Sequence, residues 1–352
     1  MSRALRLASR GIGTTHPNPR VGAVVARNNH IIGEGWHERP GMPHAEILAL
    51  QAAGERARNA TLYVTLEPCA GHGRTPPCTQ AILAAGIKRV VYASVDPHPE
   101  MAGGAEYLHA HGLDVTAGVL SQKAGDLNAA FFHHLSTSRP LVTVKAAISL
   151  DGKLATRCSH SKWISNERSR KHAHGLRAAS DAIIVGSGTL LHDNPSLTVR
   201  HVSRRGDPPL RVVVCREAPL FRPDYCLLDD AAPSRLYVGK HNSHSDAWRQ
   251  AGVELIRLDS LESILQHLAR GGYLSLLVEG GSGLLTAFFE TRLADRLTLY
   301  QAPLLIGGEQ AKSLWEGMGV EQVTGAPRLG NIVRHRLDQD QVIQGSIVYP
   351  DR

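Results

Sequence analysis

Short β-branched apolar runs alternate with longer Ala/Leu-rich runs along this chain, the pattern of a layered α/β architecture. VGAVVA (21–26) and HIIGEGW (30–36) predict the two strands of a hairpin across Arg27-Asn28-Asn29. The stretch 44–57 predicts a helix, and TLYVTLEPC (61–69) a strand ending in a loop. CTQAILAAG (78–86) predicts a helix stopped at Gly86, followed by a strand at 88–96, a helix at 105–112 and a strand at 113–119. Together these make a unit of about 120 residues, a common domain size. Residues 121–140 predict a helix running into a Ser/Thr-rich exit with Pro140, and the linker is placed there. A second α/β series begins at PLVTVKAAISLDGKLA (140–155). Its further strands are expected at 181–186, 210–215, 234–239, 274–281 and 296–303, with helices near 166–180, 243–251, 260–270 and 283–292. The expected domains are therefore 1–140 and 141–352, and neither reads as a copy of the other.

Composition narrows the class. No charge-free apolar run approaches the ~18 residues that span a membrane. The first twenty residues are basic but lack an apolar core, so they predict an Arg-bearing helix and not a signal peptide. A cytoplasmic protein with no membrane partner is expected. Five cysteines are too few and too scattered for a disulfide framework, so Cys158, Cys215 and Cys226 read as free thiols. The net charge of +7 suits an anionic ligand such as a phosphate ester. It would also suit nucleic acid, but no basic stripe with interleaved aromatics is present, and no nucleic-acid partner is expected.

The chemistry concentrates in three short runs. Pro43-His44-Ala45-Glu46 opens a helix, Glu67-Pro68-Cys69 ends a strand, and Pro76-Pro77-Cys78 opens the next helix. One imidazole and two thiolates are good zinc ligands, and three protein ligands leave a fourth position for water. Residues two apart on a helix diverge by about 200°. His44 and Glu46 can thus share a site only at the helix end, which frees Glu46 to shuttle protons instead of binding metal. The order fits the zinc-deaminase pattern H-x-E followed by P-C-x-x-C, except that eight residues, AGHGRTPP, separate the two cysteines. A structural zinc site would want a fourth protein ligand, and His72 in that loop is the residue that could close it. The adjacent His133 and His134 do not share a helix face and are not expected to bind metal.

The runs THPNPRVGAVV (15–25), HAE (44–46) and TLEPCAGHGRTPPC (65–78) resemble the bifunctional riboflavin-biosynthesis deaminase–reductase family. KAAISLDGKLAT (145–156), SKWIS (161–165), VGSGTLLHDNPSLTVR (185–200) and VEGGSGLLTAFF (278–289) extend the resemblance over nearly the whole chain. It implies a cytidine-deaminase-like three-layer α/β/α domain followed by a dihydrofolate-reductase-like α/β domain. It also implies two reactions on small phosphorylated pyrimidine nucleotides. The first is zinc-dependent deamination of 2,5-diamino-6-ribosylamino-4-pyrimidinone 5′-phosphate. The second is NADPH reduction of the product's ribosyl group to ribityl. A homo-oligomer is expected. Two departures stand out: CAGHG where the family often shows Ser-His-His-Gly after the cysteine, and Cys215-Arg216 where an Asp and a small hydroxyl residue are more usual.

In the second half, Glu279-Gly280-Gly281-Ser282-Gly283 lies between a buried strand and a helix. Glycines there let a phosphate approach backbone N–H groups at the helix start, although a plain tight turn reads the same way. The resemblance implies cofactor contacts at Ala147, Trp163, Thr189, Asp193 and the loop Gly281, Ser282, Gly283, Leu284, Leu285, Thr286 and Ala287. It implies substrate contacts at Ser161, Arg177, Leu197, Arg200 and Glu279. Arg177 and Arg200 suit the substrate phosphate, because guanidinium forks fit phosphate oxygens. Lys145 and Asp193 are candidates to assist the reduction. Lys145 also reads as a strand-edge lysine reaching solvent, and Trp163 as a core residue. In the first half, Asn18 is a candidate for the pyrimidine or a Pro-flanked turn, and His37 a weaker substrate contact.

Three function classes compete: a two-step nucleotide deaminase and reductase; a nucleic-acid deaminase with an appended binding domain; and a zinc-scaffolded module that senses NADPH. The missing basic, aromatic surface counts against the second, and Glu46 against the third, because a structural zinc needs no proton shuttle.

Overall fold

Strands β1 (Gly22–Arg27) and β2 (His30–Trp36) pair antiparallel. The turn between them holds Asn28 and Asn29 at φ 50° and 63°, the left-handed backbone that tight hairpins require and Asn tolerates. Next to β1 lies β3 (Thr61–Leu66), antiparallel, and β4 (Arg89–Ser94) and β5 (Asp114–Thr116) follow in parallel, giving the order β2-β1-β3-β4-β5. The computed structural model describes residues 1–71 and 76–350, and this sheet belongs to the first of two units, Met1–Ser138 and Arg139–Arg352.

Alternation along β1 sends Ala23 and Val25 to the core under helix Ala45–Ala53, and Val24 to the opposite face with Ala4 and Leu7 of helix Ser2–Ala8. The layers are therefore α/β/α. Close approach explains the glycines of HIIGEGW: a Cβ at Gly35 would stand 2.4 Å from the Ala45 carbonyl oxygen. That contact seats the start of helix Ala45–Ala53, and with it His44, on the sheet. The expected linker region is helical almost throughout, as Ser121–Leu127 and Ala129–Thr137. The second of these helices ends at Ser138, with φ 58°.

The second unit is built on β6 (Leu141–Ile148), β7 (Lys153–Ala155), β8 (Ala182–Gly186), β9 (Leu210–Glu217), β10 (Ser234–Lys240), β11 (Glu254–Arg257), β12 (Ser275–Val278), β13 (Arg296–Gln301), β14 (Lys312–Ser313), β15 (Arg328–Leu337) and β16 (Asp340–Val348). Nine of them form one sheet in the order β11-β10-β9-β8-β12-β6-β13-β16-β15, parallel from β11 to β13 and antiparallel at β16 and β15. β7 and β14 pair separately. Ile183, Ile184, Val185, Val212 and Val213 are buried on both faces, as the interior strands of a parallel sheet should be. Within β9, the fully buried Arg211 donates to Asp229 Oδ1 at 2.6 Å and to the carbonyls of Cys226, Leu227 and Asp229, tying the loop 226–229 to the strand end. Among the described residues no helix is long and apolar enough to cross a membrane.

Candidate active sites

In the first unit, His44 caps helix Ala45–Ala53 with extended backbone (φ −69°, ψ 159°), so its ring leaves the helix end while Glu46 stays inside the first turn. His44 Nδ1 lies 3.1 Å from Cys78 Sγ and 3.6 Å from Cys69 Sγ, and these three ligand atoms all fall within 4.8 Å of one another. Cys78 starts helix Cys78–Ala84 directly after Pro77, and its backbone N–H donates to Cys69 Sγ at 3.3 Å. Hydrogen bonds from Cys78 and from His44 outweigh burial and hold the Cys69 thiol down to about 4. Cys78 is pushed up, because it donates to that thiolate and is itself buried. A second thiolate beside the first needs a cation between them, which is what a bound divalent metal supplies. The donor set therefore fits zinc, with three protein ligands among the described residues; His72 lies outside them. Burial raises the Glu46 carboxyl above its ordinary range.

Two neighbours lie beside this cluster. Asn18 Nδ2 donates to His37 Nε2 at 3.1 Å, which leaves His37 Nδ1 to donate to the Pro43 carbonyl at 3.3 Å. The His37 ring stands edge-on to His44, centroids 5.7 Å apart, and burial favours its neutral form. Glu67 has a role that reading E-P-C as a ligand motif misses. Its buried carboxylate accepts the backbone N–H groups of Asp96 (3.2 Å) and Ala105 (2.9 Å), so it fixes the loop that carries Cys69.

In the second unit a cleft of about 1710 Å³ opens along the C-terminal ends of the parallel strands, where open α/β sheets bind ligands. Ala147, Trp163, Thr189, Asp193, the loop Gly281–Leu284 and Ala287 line it. Thr189 Oγ1 accepts the Gly281 N–H at 3.2 Å and joins the two halves of that wall. Leu285 and Thr286 do not line it. Leu285 packs fully buried in the core, and the Thr286 hydroxyl accepts the Glu316 N–H at 2.8 Å, since helix Ser282–Glu290 turns these positions away. Trp163 is 69% exposed with the Arg170 guanidinium 4.6 Å over its ring, which rules out the core reading.

Ser161, Arg177, Leu197, Arg200 and Glu279 line the same cleft. Arg177 gives its Nε and Nη2 to Glu279 at 2.6 and 2.9 Å and its Nη1 to the Thr198 carbonyl at 3.0 Å, which fixes the guanidinium and leaves two of its five N–H groups for a ligand. Arg200 is exposed; among the described residues its side chain bonds the hydroxyls of Ser196 and Thr198, and its backbone N–H is given to His174 Nδ1. Burial alone would raise Glu279, but Arg177 and then Lys145 hold it down to about 2. Lys145 is depressed by burial despite Glu279, and its Nζ lies 5.8 Å from the Tyr300 ring centroid. Asp193 pairs with Lys162 Nζ at 3.2 Å.

Two family models match the chain, one in each unit. Residues 1–94 match the cytidine and deoxycytidylate deaminase zinc-binding region, and residues 140–347 match the RibD C-terminal domain. The chain is thus a two-domain enzyme, a zinc-binding deaminase followed by a reductase. It is 44% identical over 310 residues to the riboflavin biosynthesis protein RibD of Aquifex aeolicus, covering 87% of each chain, and 38% identical to that of Escherichia coli, covering 93% of each. Among solved structures it is similar to Acinetobacter baumannii RibD (TM-score 0.87, 34% identity, 99% and 97% of the two chains). It is also similar to the diaminohydroxyphosphoribosylaminopyrimidine deaminase/5-amino-6-(5-phosphoribosylamino)uracil reductase of Thermotoga maritima (TM-score 0.89, 35% identity, 99% and 97%). The chain belongs to the RibD family of bifunctional riboflavin-biosynthesis deaminase–reductases.

Proposed function

We propose that residues 1–140 deaminate 2,5-diamino-6-ribosylamino-4(3H)-pyrimidinone 5′-phosphate, and that residues 141–352 reduce the ribosyl chain of the resulting 5-amino-6-(5-phosphoribosylamino)uracil to ribityl with NADPH. The observation that carries the first half is the convergence of His44, Cys69 and Cys78 around one point beside a buried Glu46. When bound there, zinc supplies Lewis acidity that brings the pKa of a water toward about 7. Glu46, raised by burial, takes one proton of the water to the pyrimidine ring nitrogen and then carries the remaining hydroxyl proton of the adduct to the departing amine. Water enters, the ring gains a carbonyl, and ammonia leaves. Asn18 and His37 hold the pyrimidine edge, with their mutual hydrogen bond fixing both side chains.

In the second unit, NADPH supplies hydride to the sugar carbon of the imine formed when the ribosyl ring opens. The cleft offers the cofactor Ala147, Trp163, Thr189 and the loop Gly281–Leu284. Lys145 and Asp193 supply the proton that accompanies the hydride. Arg200 takes the substrate phosphate, and the Arg177–Glu279 pair shapes the pocket beside Lys145. A cytoplasmic homo-oligomer is part of the same reading, and the exposed Ile332 and Val333 on edge strand β15 support self-association.

The test is Glu46→Gln in the full chain. Zinc content should stay at the wild-type level while ammonia release is lost. Deamination at the wild-type rate would overturn the shuttle. Oxidation of NADPH that proceeds equally without the deaminated ribosyl nucleotide would overturn the reductase assignment.

A further inference from the structure

One face of helix Glu167–Ala179 sends two side chains to a single segment of chain. Residues three apart share a helix face, and His174 and Arg177 both reach the stretch 197–201. Arg177 Nη1 donates to the Thr198 carbonyl at 3.0 Å, and His174 Nδ1 accepts the Arg200 N–H at 3.0 Å. The helix itself is held firmly. Asn166 caps it by accepting the Ser169 N–H, and Asn166 Nδ2 donates to the Leu337 carbonyl at 2.7 Å. Ala173 packs against Tyr300 and Val342 of the sheet.

The segment needs such support. Leu197 and His201 bound it at φ 49° and 66°, a left-handed backbone that non-glycine residues keep only where the surroundings impose it. His201 stands edge-on to the His174 ring, centroids 5.1 Å apart. His174 is buried, and burial, then Arg177 and Arg200, hold it down to about 4. The ring is therefore neutral at pH 7. A neutral imidazole has one acceptor nitrogen, and the Arg200 N–H takes it, so the ring proton sits on Nε2. From this held backbone the Arg200 side chain lines the cleft. Its Nη1 donates to Thr198 Oγ1 at 3.0 Å and to Ser196 Oγ, which among the described residues leaves Nε and Nη2 for a ligand.

We propose that His174 is a positioning residue: it holds the Arg200 backbone so that the guanidinium meets the 5′-phosphate of the reductase substrate. The inference rests on the phosphate role given to Arg200 above. An arginine side chain has much rotamer freedom to lose on binding. Fixing its backbone and one terminal nitrogen beforehand removes part of that cost. Leucine at position 174 would fill the space of the ring without an acceptor. Asparagine would return an acceptor oxygen at the place of Nδ1.

Steady-state reduction by the full-length protein tests this, with NADPH and either the deaminated ribosyl nucleotide or its dephosphorylated nucleoside. His174→Leu should raise the nucleotide KM about three- to tenfold, the scale of one hydrogen bond. Its kcat and its KM for NADPH should change by less than about twofold, the signature of lost binding and not of a damaged fold. His174→Ala gives the same test where leucine fails to pack. The nucleoside should show no such penalty. In an Arg200→Ala background, His174→Leu should add less than about twofold, because the two residues act as one unit. His174→Asn should return most of the affinity. A penalty that persists with the nucleoside, or that adds in full to Arg200→Ala, would make His174 a packing residue and overturn the proposal. A folded asparagine variant no better than leucine would do the same. If Arg200→Ala keeps the wild-type nucleotide KM, the phosphate reading falls and takes the role of His174 with it. If the wild type reduces neither substrate, the reductase reading itself fails.

Discussion

Replacing Glu279 by glutamine strips Arg177 of its counter-ion in a place where water cannot take over. Only 14% of the Arg177 side chain and 9% of the Glu279 side chain are exposed, and the two share hydrogen bonds of 2.6 and 2.9 Å. The fall of the Glu279 carboxyl from its ordinary value of 4.5 to about 2 corresponds to roughly 3 kcal/mol of stability at neutral pH. Breaking a buried pair by removing one partner costs about 3–5 kcal/mol, so the two figures agree. At about 2–4 °C per kcal/mol for a unit of this size, the thermal midpoint of the second unit should drop by roughly 6–12 °C. The pH dependence has a definite sign. A carboxyl depressed in the folded state leaves the unfolded chain binding more protons between about 4.5 and 2. The pair's contribution is therefore full above about pH 4.5 and disappears as pH falls toward 2. Glu279→Gln should remove that acid-sensitive component. Tryptophan fluorescence is the assay, because Trp163, Trp248 and Trp315, three of the four tryptophans, lie in this unit. A variant that melts within about 2 °C of the wild type at pH 7, or that loses stability between pH 5 and 2.5 as steeply as the wild type does, would refute the argument.

Other outcomes follow from the same geometry. Gly104→Ala places a methyl group 1.7 Å from the Pro68 carbonyl oxygen, so it should displace the Cys69 loop and abolish ammonia release, with NADPH oxidation in the second unit retained. Cys78→Ala should leave two ligands; the metal analysed per chain should fall well below the wild-type level. Lys145→Met should slow reduction by about 10²–10⁴-fold if the amine moves a proton. Because burial depresses Lys145, the wild-type reductase should lose activity on an alkaline limb below 10.5, and that limb should be absent in the variant's residual rate.

The convergence of His44, Cys69 and Cys78 was readable because each sits in a short run that also sets its own local geometry: a proline before Cys78, a helix start at His44. Glu67 was not, because the two N–H groups it holds lie 29 and 38 residues away. The pairing of Arg177 was hidden for a similar reason. Its partner, Glu279, is 102 residues distant, and the guanidinium chemistry that suits a phosphate suits a buried carboxylate equally well. Helix Ser187–Asp193, which carries Thr189 and Asp193, is too short and too glycine-bearing to show a period. The hairpin β15–β16 escaped because Arg334, His335 and Arg336 interrupt its alternation, and much of β15 faces solvent on both sides. Helical periodicity could have separated Leu285, which shares the core with Phe288 and Phe289, from Leu284 and Ala287 at the cleft.

The place of β6 at the middle of the nine-stranded sheet sets a timetable for synthesis. Everything the five-stranded sheet pairs with has left the ribosome by residue 116, so that half can condense early. LVTVKAAI, in contrast, must wait for residues 275–278 on one side and 296–301 on the other. Throughout that interval a β-prone apolar segment travels without its neighbours, which makes the reductase half the one that depends on slow elongation or chaperone cover in the cell.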